Sequence, residues 1–114
     1  MNKYGFDLDG TLDLPVIAQL ARDLHAAGHE IHIVTGAIDD IGEWTEAARH
    51  EKLARLNVPW TKLHRCFGHN ITAIGNRKRD VCKEEGITLL FEDSQDFIGQ
   101  CMRDVQCLYI VPMR

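Results

Sequence analysis

The sequence predicts an α/β protein: a three-layer α/β/α, Rossmann-like arrangement around a parallel sheet of about five strands. Three observations predict it. Short apolar runs of strand length alternate with segments whose apolar residues recur at helical spacing, in the order β-α-β-α-β-α-β-α-β. The run "ITLLFED" (87–93) is apolar almost without a break, as a strand covered on both faces requires. Several runs also end in glycine or acidic residues, the chemistry of turns at a sheet edge.

Each element follows from its residues. "KYGFDL" (3–8) mixes aromatic and apolar residues over strand length. "LPVIAQLARDLHAAG" (14–28) carries Val16, Ile17, Leu20, Ala21 and Leu24 on one helical face, with Gly28 as its stop. "EIHIVTG" (30–36) is a strand ending at glycine. Residues 39–56 place Ile41, Trp44, Ala48 and Leu53 at helical spacing, with Asp39 or Asp40 as cap. "VPWTKLHRCF" (58–67) follows a helix-stopping Pro59 and holds a short strand. Residues 68–76 lie between Gly68 and Gly75-Asn76 and read as a loop. "RKRDVCKEEG" (77–86) reads as a short helix ended by Gly86. After the strand at 87–93, "SQDFIGQCM" (94–102) is a helix capped by Ser94, and "VQCLYIV" (105–111) a last strand ended by Pro112.

The chain of 114 residues fits one domain, 1–114, and can bury a core without staples. Hydrophobic residues make up 45% and charged residues 26%, which marks a soluble globular protein, and the net charge of −4 argues against a general nucleic-acid coat. No apolar run approaches bilayer length, and the N-terminus turns acidic by residue 7, unlike a signal peptide. Cys66, Cys82, Cys101 and Cys107 show no CxxC spacing and read as reduced, mostly buried residues of a cytoplasmic protein.

Ligands of an open α/β sheet bind beyond the carboxyl ends of its strands. The first predicted strand ends in Asp7-Leu8-Asp9-Gly10-Thr11, the second in Thr35-Gly36 and the fourth in Glu92-Asp93-Ser94. Lys78 opens the helix before the fourth. Carboxylates gathered at one edge repel unless a cation joins them, and a few hard oxygen ligands suit Mg²⁺.

These residues, in this order, resemble the phosphatase branch of the haloacid dehalogenase superfamily. Asp7, Asp9, Gly10 and Thr11 match its D-x-D-G-T motif, and "IHIVT" with Thr35 matches its second. Lys78 matches its motif lysine, with Lys83 as the alternative. "LLFED" matches the acidic fourth motif, Asp93 in preference to Glu92, with Asp96 following. The resemblance implies Asp7 as nucleophile and Asp9 as general acid and base. It implies Mg²⁺ held by the Asp7 carboxylate, the Asp9 main-chain carbonyl and Asp93. Thr35, the Gly36 backbone and Lys78 would grip the phosphate, and Asp96 would order metal-bound water. The acid at position 9 favours phosphate-ester hydrolysis over the ATPase and dehalogenase branches.

Only residues 10–34 separate Asp9 from Thr35, and a helix and a strand use most of them, so a capless form is expected. An open site suits a large or macromolecular phosphorylated substrate, or a lid borrowed from a second subunit in an oligomer. The other reading is a weakly active or inactive phosphate-binding or protein-interaction module on the same fold. His25, His29 and His32 straddle a helix stop and make a poor metal site, whereas His64 and His69 flank the third strand end and read as exposed surface residues, with contact to a substrate as the alternative. "NRKRD" (76–80) puts three cations at a helix start, a patch Arg65 would extend, and Trp44 and Trp60 read as packing residues.

Overall fold

The computed structural model describes residues 1–101 and 104–111. Five strands, β1 (Lys3–Phe6), β2 (Glu30–Ala37), β3 (Lys62–Phe67), β4 (Leu89–Glu92) and β5 (Cys107–Tyr109), form one parallel sheet in the order β3-β2-β1-β4-β5. Helices α1 (Pro15–Ala26), α2 (Glu46–Arg55), α3 (Ile71–Glu85) and α4 (Gln95–Cys101) cover it. The predicted three-layer α/β fold is therefore the observed one. Chain order reverses at β1, so its carboxyl end is the switch point where such sheets bind ligands.

The strands alternate their side chains between two cores. Phe6, Leu8, Ile31 and Ile33 pack with Ala18 and Ala21 of α1 and Leu53 of α2. Val34, Cys66 and Leu90 pack with Val81 and Cys82 of α3. Phe6 and Phe91 stack at 4.5 Å in the first core. Cys66 and Cys82 are buried as expected, and Cys107 is half-buried. Pro112 and the Cys101 side chain lie outside the described residues. Among the described residues no helix is long and apolar enough to cross a membrane.

Several boundaries differ from expectation. The stretch expected as a loop at 68–76 is mostly helix, because α3 starts at Ile71. Asn70 caps it by accepting the Ala73 N–H at 2.8 Å, and Gly75 sits buried inside the helix, not at its edge. The cations of "NRKRD" are consequently in mid-helix: Arg77 pairs with Glu84, Arg79 with Asp80, and Lys78 is buried. Helix α2 is capped by Thr45, which accepts from Ala48, while Asp40 pairs with Arg65 at 2.6 Å. Arg65 is thereby drawn to an acid instead of extending a basic patch. Ser94 accepts the Phe97 N–H, and Gly86 ends α3 at φ +70, both as the residue types predicted.

If Asn70 starts α3, Asn70→Ala will cost about 1 kcal/mol of stability in denaturant unfolding, as N-cap removal usually does. A loop at 68–76 would leave the midpoint unchanged.

Candidate active site

Strand β1 makes its last rung when the Asp7 N–H donates to the Phe91 carbonyl at 2.9 Å. Asp7 keeps extended geometry, so it shares a face with Gly5, two residues earlier. That face looks toward α3, and a side chain at Gly5 would press on Leu90 and Ile87. Burial pushes the Asp7 carboxyl well above the ordinary carboxylate range; Lys78 opposes this, and Glu92 and Asp93 reinforce it.

Lys78 lies in the middle of α3, not at its start as expected, and is fully buried. Its Nζ donates to Asp7 Oδ1 at 3.1 Å and Glu92 Oε1 at 2.6 Å, and sits 4.2 Å from the centre of the Phe97 ring. Burial alone would lower its pKa, but the two carboxylates carry it above the ordinary lysine value. Lys83, the alternative, is exposed and faces Asp104. Gly36 admits the helix here, because a Cβ on it would lie 2.8 Å from Ile74 Cγ2. Thr35 beside it is buried in β2 and lines the same cleft.

Glu92 and Asp93 have different partners. Glu92 binds Lys78 with one oxygen and accepts the N–H groups of Asp93 and Ser94 with the other. Asp93 lines the cleft. It packs so closely over Gly10 that any Cβ there would collide with its carboxylate, and Gly10 also adopts φ +80. Asp7, Glu92 and Asp93 each bring one oxygen within 4.8 Å of the others. Glu92 is engaged by Lys78 and the backbone, and Asp7 by Lys78 through one oxygen, so Asp7 and Asp93 are the carboxylates that could hold a hard divalent cation.

Asp9 goes elsewhere. The chain winds through one turn, Leu8–Leu12, and Gly10 lets it reverse. Asp9 emerges toward α2, where Oδ1 accepts from Arg49 Nη1 at 2.9 Å and Lys52 Nζ at 2.7 Å. Partial burial raises its pKa, but these two cations outweigh burial and hold it below the ordinary value. Lys52 also bridges to Asp13, whose other role is to accept the Gly10 N–H at 2.7 Å. Arg49 is 2% exposed, and its Nη2 is buried without a hydrogen-bond partner among the described residues.

The structure thus brings Asp7, Asp9, Thr35, Gly36, Lys78 and Asp93 around one cleft of about 230 Å³. Trp44, Ile38 and Phe97 form apolar walls, so Trp44 is a cleft residue and not only a packing one. Trp60 does pack, against the first core and the His50 ring. His64 is not at the cleft; it points to the α3 side of β3 and meets His32. Arg49, Lys52 and the clamping role of Glu92 escaped the sequence reading. Only the last left a signal, an acid closing an apolar strand.

The sequence matches no protein-family model and no curated protein. In fold, the chain is similar to a chain of the "Pnkp1/Rnl/Hen1 RNA repair complex" (TM-score 0.76, 15% identity, 96% of this chain and 42% of that one). A second structure of the Pnkp1/Rnl/Hen1 complex gives TM-score 0.78 at 15% identity, over 96% and 46%. A universal stress protein in complex with cAMP gives 0.63 at 11% identity, over 96% and 95%. The chain spans less than half the length of the first two.

Two outcomes are expected. Lys78→Met leaves two buried carboxylates uncompensated and will cost about 3–5 kcal/mol at neutral pH. The loss will shrink as acid protonates them, read by denaturant unfolding across pH. Asp9 has a depressed folded pKa, so its contribution is present above the unfolded value of about 4 and fades as pH falls through the lower folded one. Because Asp9 is 53% exposed, Asp9→Asn will cost under about 1 kcal/mol at pH 7. The difference from the parent chain will vanish in thermal melts at strongly acid pH.

Proposed function

We propose that this protein is a Mg²⁺-dependent phosphomonoester hydrolase of the haloacid dehalogenase type. The observation that carries this reading is the Asp7 carboxylate. It stands at the carboxyl end of the central strand, at the switch point, held by Lys78 and open to a cleft shared with Thr35 and Asp93. Lys78 favours the ionised form that a nucleophile needs, against the burial that opposes it.

An Asp7 oxygen attacks phosphorus and the ester oxygen leaves, taking a proton from Asp9. Water then attacks the aspartyl-phosphate while Asp9 takes its proton, which releases phosphate and restores Asp7. Thr35, the Gly36 backbone and Lys78 orient the phosphoryl oxygens. Asp7, Asp93 and the Asp9 carbonyl would hold Mg²⁺, which neutralises the phosphate anion that a carboxylate must approach. Arg49 and Lys52 favour the ionised form of Asp9 in the substrate-free chain, so Asp9 takes up a proton before it gives one to the leaving oxygen. The ionised form suits the second half of the reaction, where Asp9 is a base. Leaving groups that are stable anions therefore need least from it in the first half.

No domain closes over the cleft among the described residues, which supports a large phosphorylated substrate. The fold likeness to a chain of an RNA repair complex adds a nucleic-acid phosphate to the classes worth assaying first. The second reading, a phosphate-binding or interaction module of low activity, draws on the Asp9 ion pairs, which withhold the proton donor.

A screen of phosphomonoesters with Mg²⁺ tests the proposal. Asp7→Asn will lower turnover on the order of a thousandfold or more. Asp9→Asn will cost about 10²–10⁴-fold on alkyl esters and less on p-nitrophenyl phosphate. Turnover that survives Asp7→Asn overturns Asp7 as nucleophile, and ligand binding that survives Asp7→Asn and Asp9→Asn without any turnover favours the module.

A further inference from the structure

A second cluster of chemistry lies on the α3 side of the sheet, toward the amino ends of β1 and β2. His32 of β2 is fully buried, and its Nε2 is 2.8 Å from Glu30 Oε1. Its Nδ1 is 3.0 Å from Nε2 of His64 on β3, with the two rings parallel. Glu85, at the carboxyl end of α3, brings a carboxylate oxygen within 4.8 Å of a nitrogen of both rings.

We propose that His32, His64 and Glu85 form a transition-metal site, suited to Zn²⁺, that is separate from the acidic cleft. The donor set argues for it. Two imidazoles and one carboxylate from three different elements are a zinc ligand set that leaves a fourth position for water. Glu30 completes the pattern, because a carboxylate on the far nitrogen fixes the His32 tautomer with its lone pair on Nδ1. His64 Nε2 lies 3.0 Å from that nitrogen, so a proton joins the two rings in the metal-free chain and a metal would take its place.

The surroundings are compatible with a cation. The carboxyl end of a helix carries partial negative charge, and Glu85 ends the fifteen-residue α3. Lys62 holds Glu85 Oε2 at 3.1 Å but is more than half exposed and free to swing outward. Lys3 binds the Glu85 main-chain oxygen, not its carboxylate. The two ring nitrogens must part by a few tenths of an ångström to flank a metal with Zn–N bonds of about 2.0–2.1 Å. His64 can supply this, being half-buried on an edge strand.

The test uses the full chain, stripped with a chelator and titrated with Zn²⁺ and Co²⁺ against a chromophoric competitor. The expected result is one ion per chain, with the visible absorption of four-coordinate Co²⁺, undiminished in Asp7→Asn. His64→Ala and Glu85→Gln will each weaken binding at least about tenfold, and Glu30→Gln about 10–100-fold, as loss of an outer partner does. Circular dichroism identifies any variant that fails to fold; Glu85→Gln, at a half-exposed position, then decides alone. Absence of stoichiometric binding overturns the proposal and leaves Glu30-His32-His64 a hydrogen-bonded chain. Binding that survives His64→Ala and Glu85→Gln, or that is lost in Asp7→Asn, overturns it equally.

Discussion

One buried ammonium organises the cleft. Lys78 has no access to solvent, so its charge is tolerable only between carboxylates. Asp7 and Glu92 meet that need from adjacent strands, β1 and β4, and the lysine comes from the helix above them. The pairing holds α3 down on the sheet, and Gly36 provides the clearance. It also determines which acid is spare. Glu92 spends its second oxygen on the backbone that starts the next loop, and Asp93 is left facing the cleft.

The same constraint separates the two acids of the first motif. Asp7 must point to the α3 layer to meet Lys78, while Leu8 fills the opposite core. By the time the chain reaches Asp9 it has left the strand and can face α2. One carboxyl is raised by burial and the other lowered by two cations. Two like residues, two positions apart, thus acquire opposite electrostatic characters from opposite helical layers.

The parts that were legible in the sequence rest on local rules. Alternation in β1 puts Asp7 at its end, an unbroken apolar run marks β4, and Gly86 closes α3. The start of α3 was obscured because Gly68 and Gly75 look like punctuation. In the fold, Gly68 admits the backbone of Ile74 at close range, and Gly75 is buried within the helix. Lys78 was identified from motif order, although its reach comes from mid-helix. Arg49 and Lys52 were not legible, since their partner Asp9 lies some forty residues away and nothing local announces the contact. The His32–His64 contact needs the register of β2 against β3, in which His64 pairs with Val34 and His32 with Lys62. A one-dimensional reading matched His32 to His25 and His29 instead.

The wound turn from Leu8 to Leu12 acts as a ruler. Its near end is pinned to the sheet through Asp7, and its far end to α1, where the Ala18 and Ile17 N–H groups bond the Leu14 carbonyl. Thr11 and Leu12 are buried within it, and Gly10 cannot carry a side chain. A residue added or removed here would shift the two carboxylates against each other and pull Leu8 or Leu12 out of the first core. The cleft's rim is held as well, by Arg65 on Asp40 and the Trp44 carbonyl and by Arg49 and Lys52 of α2 on Asp9, so the length of the turn and the position of the rim are set together.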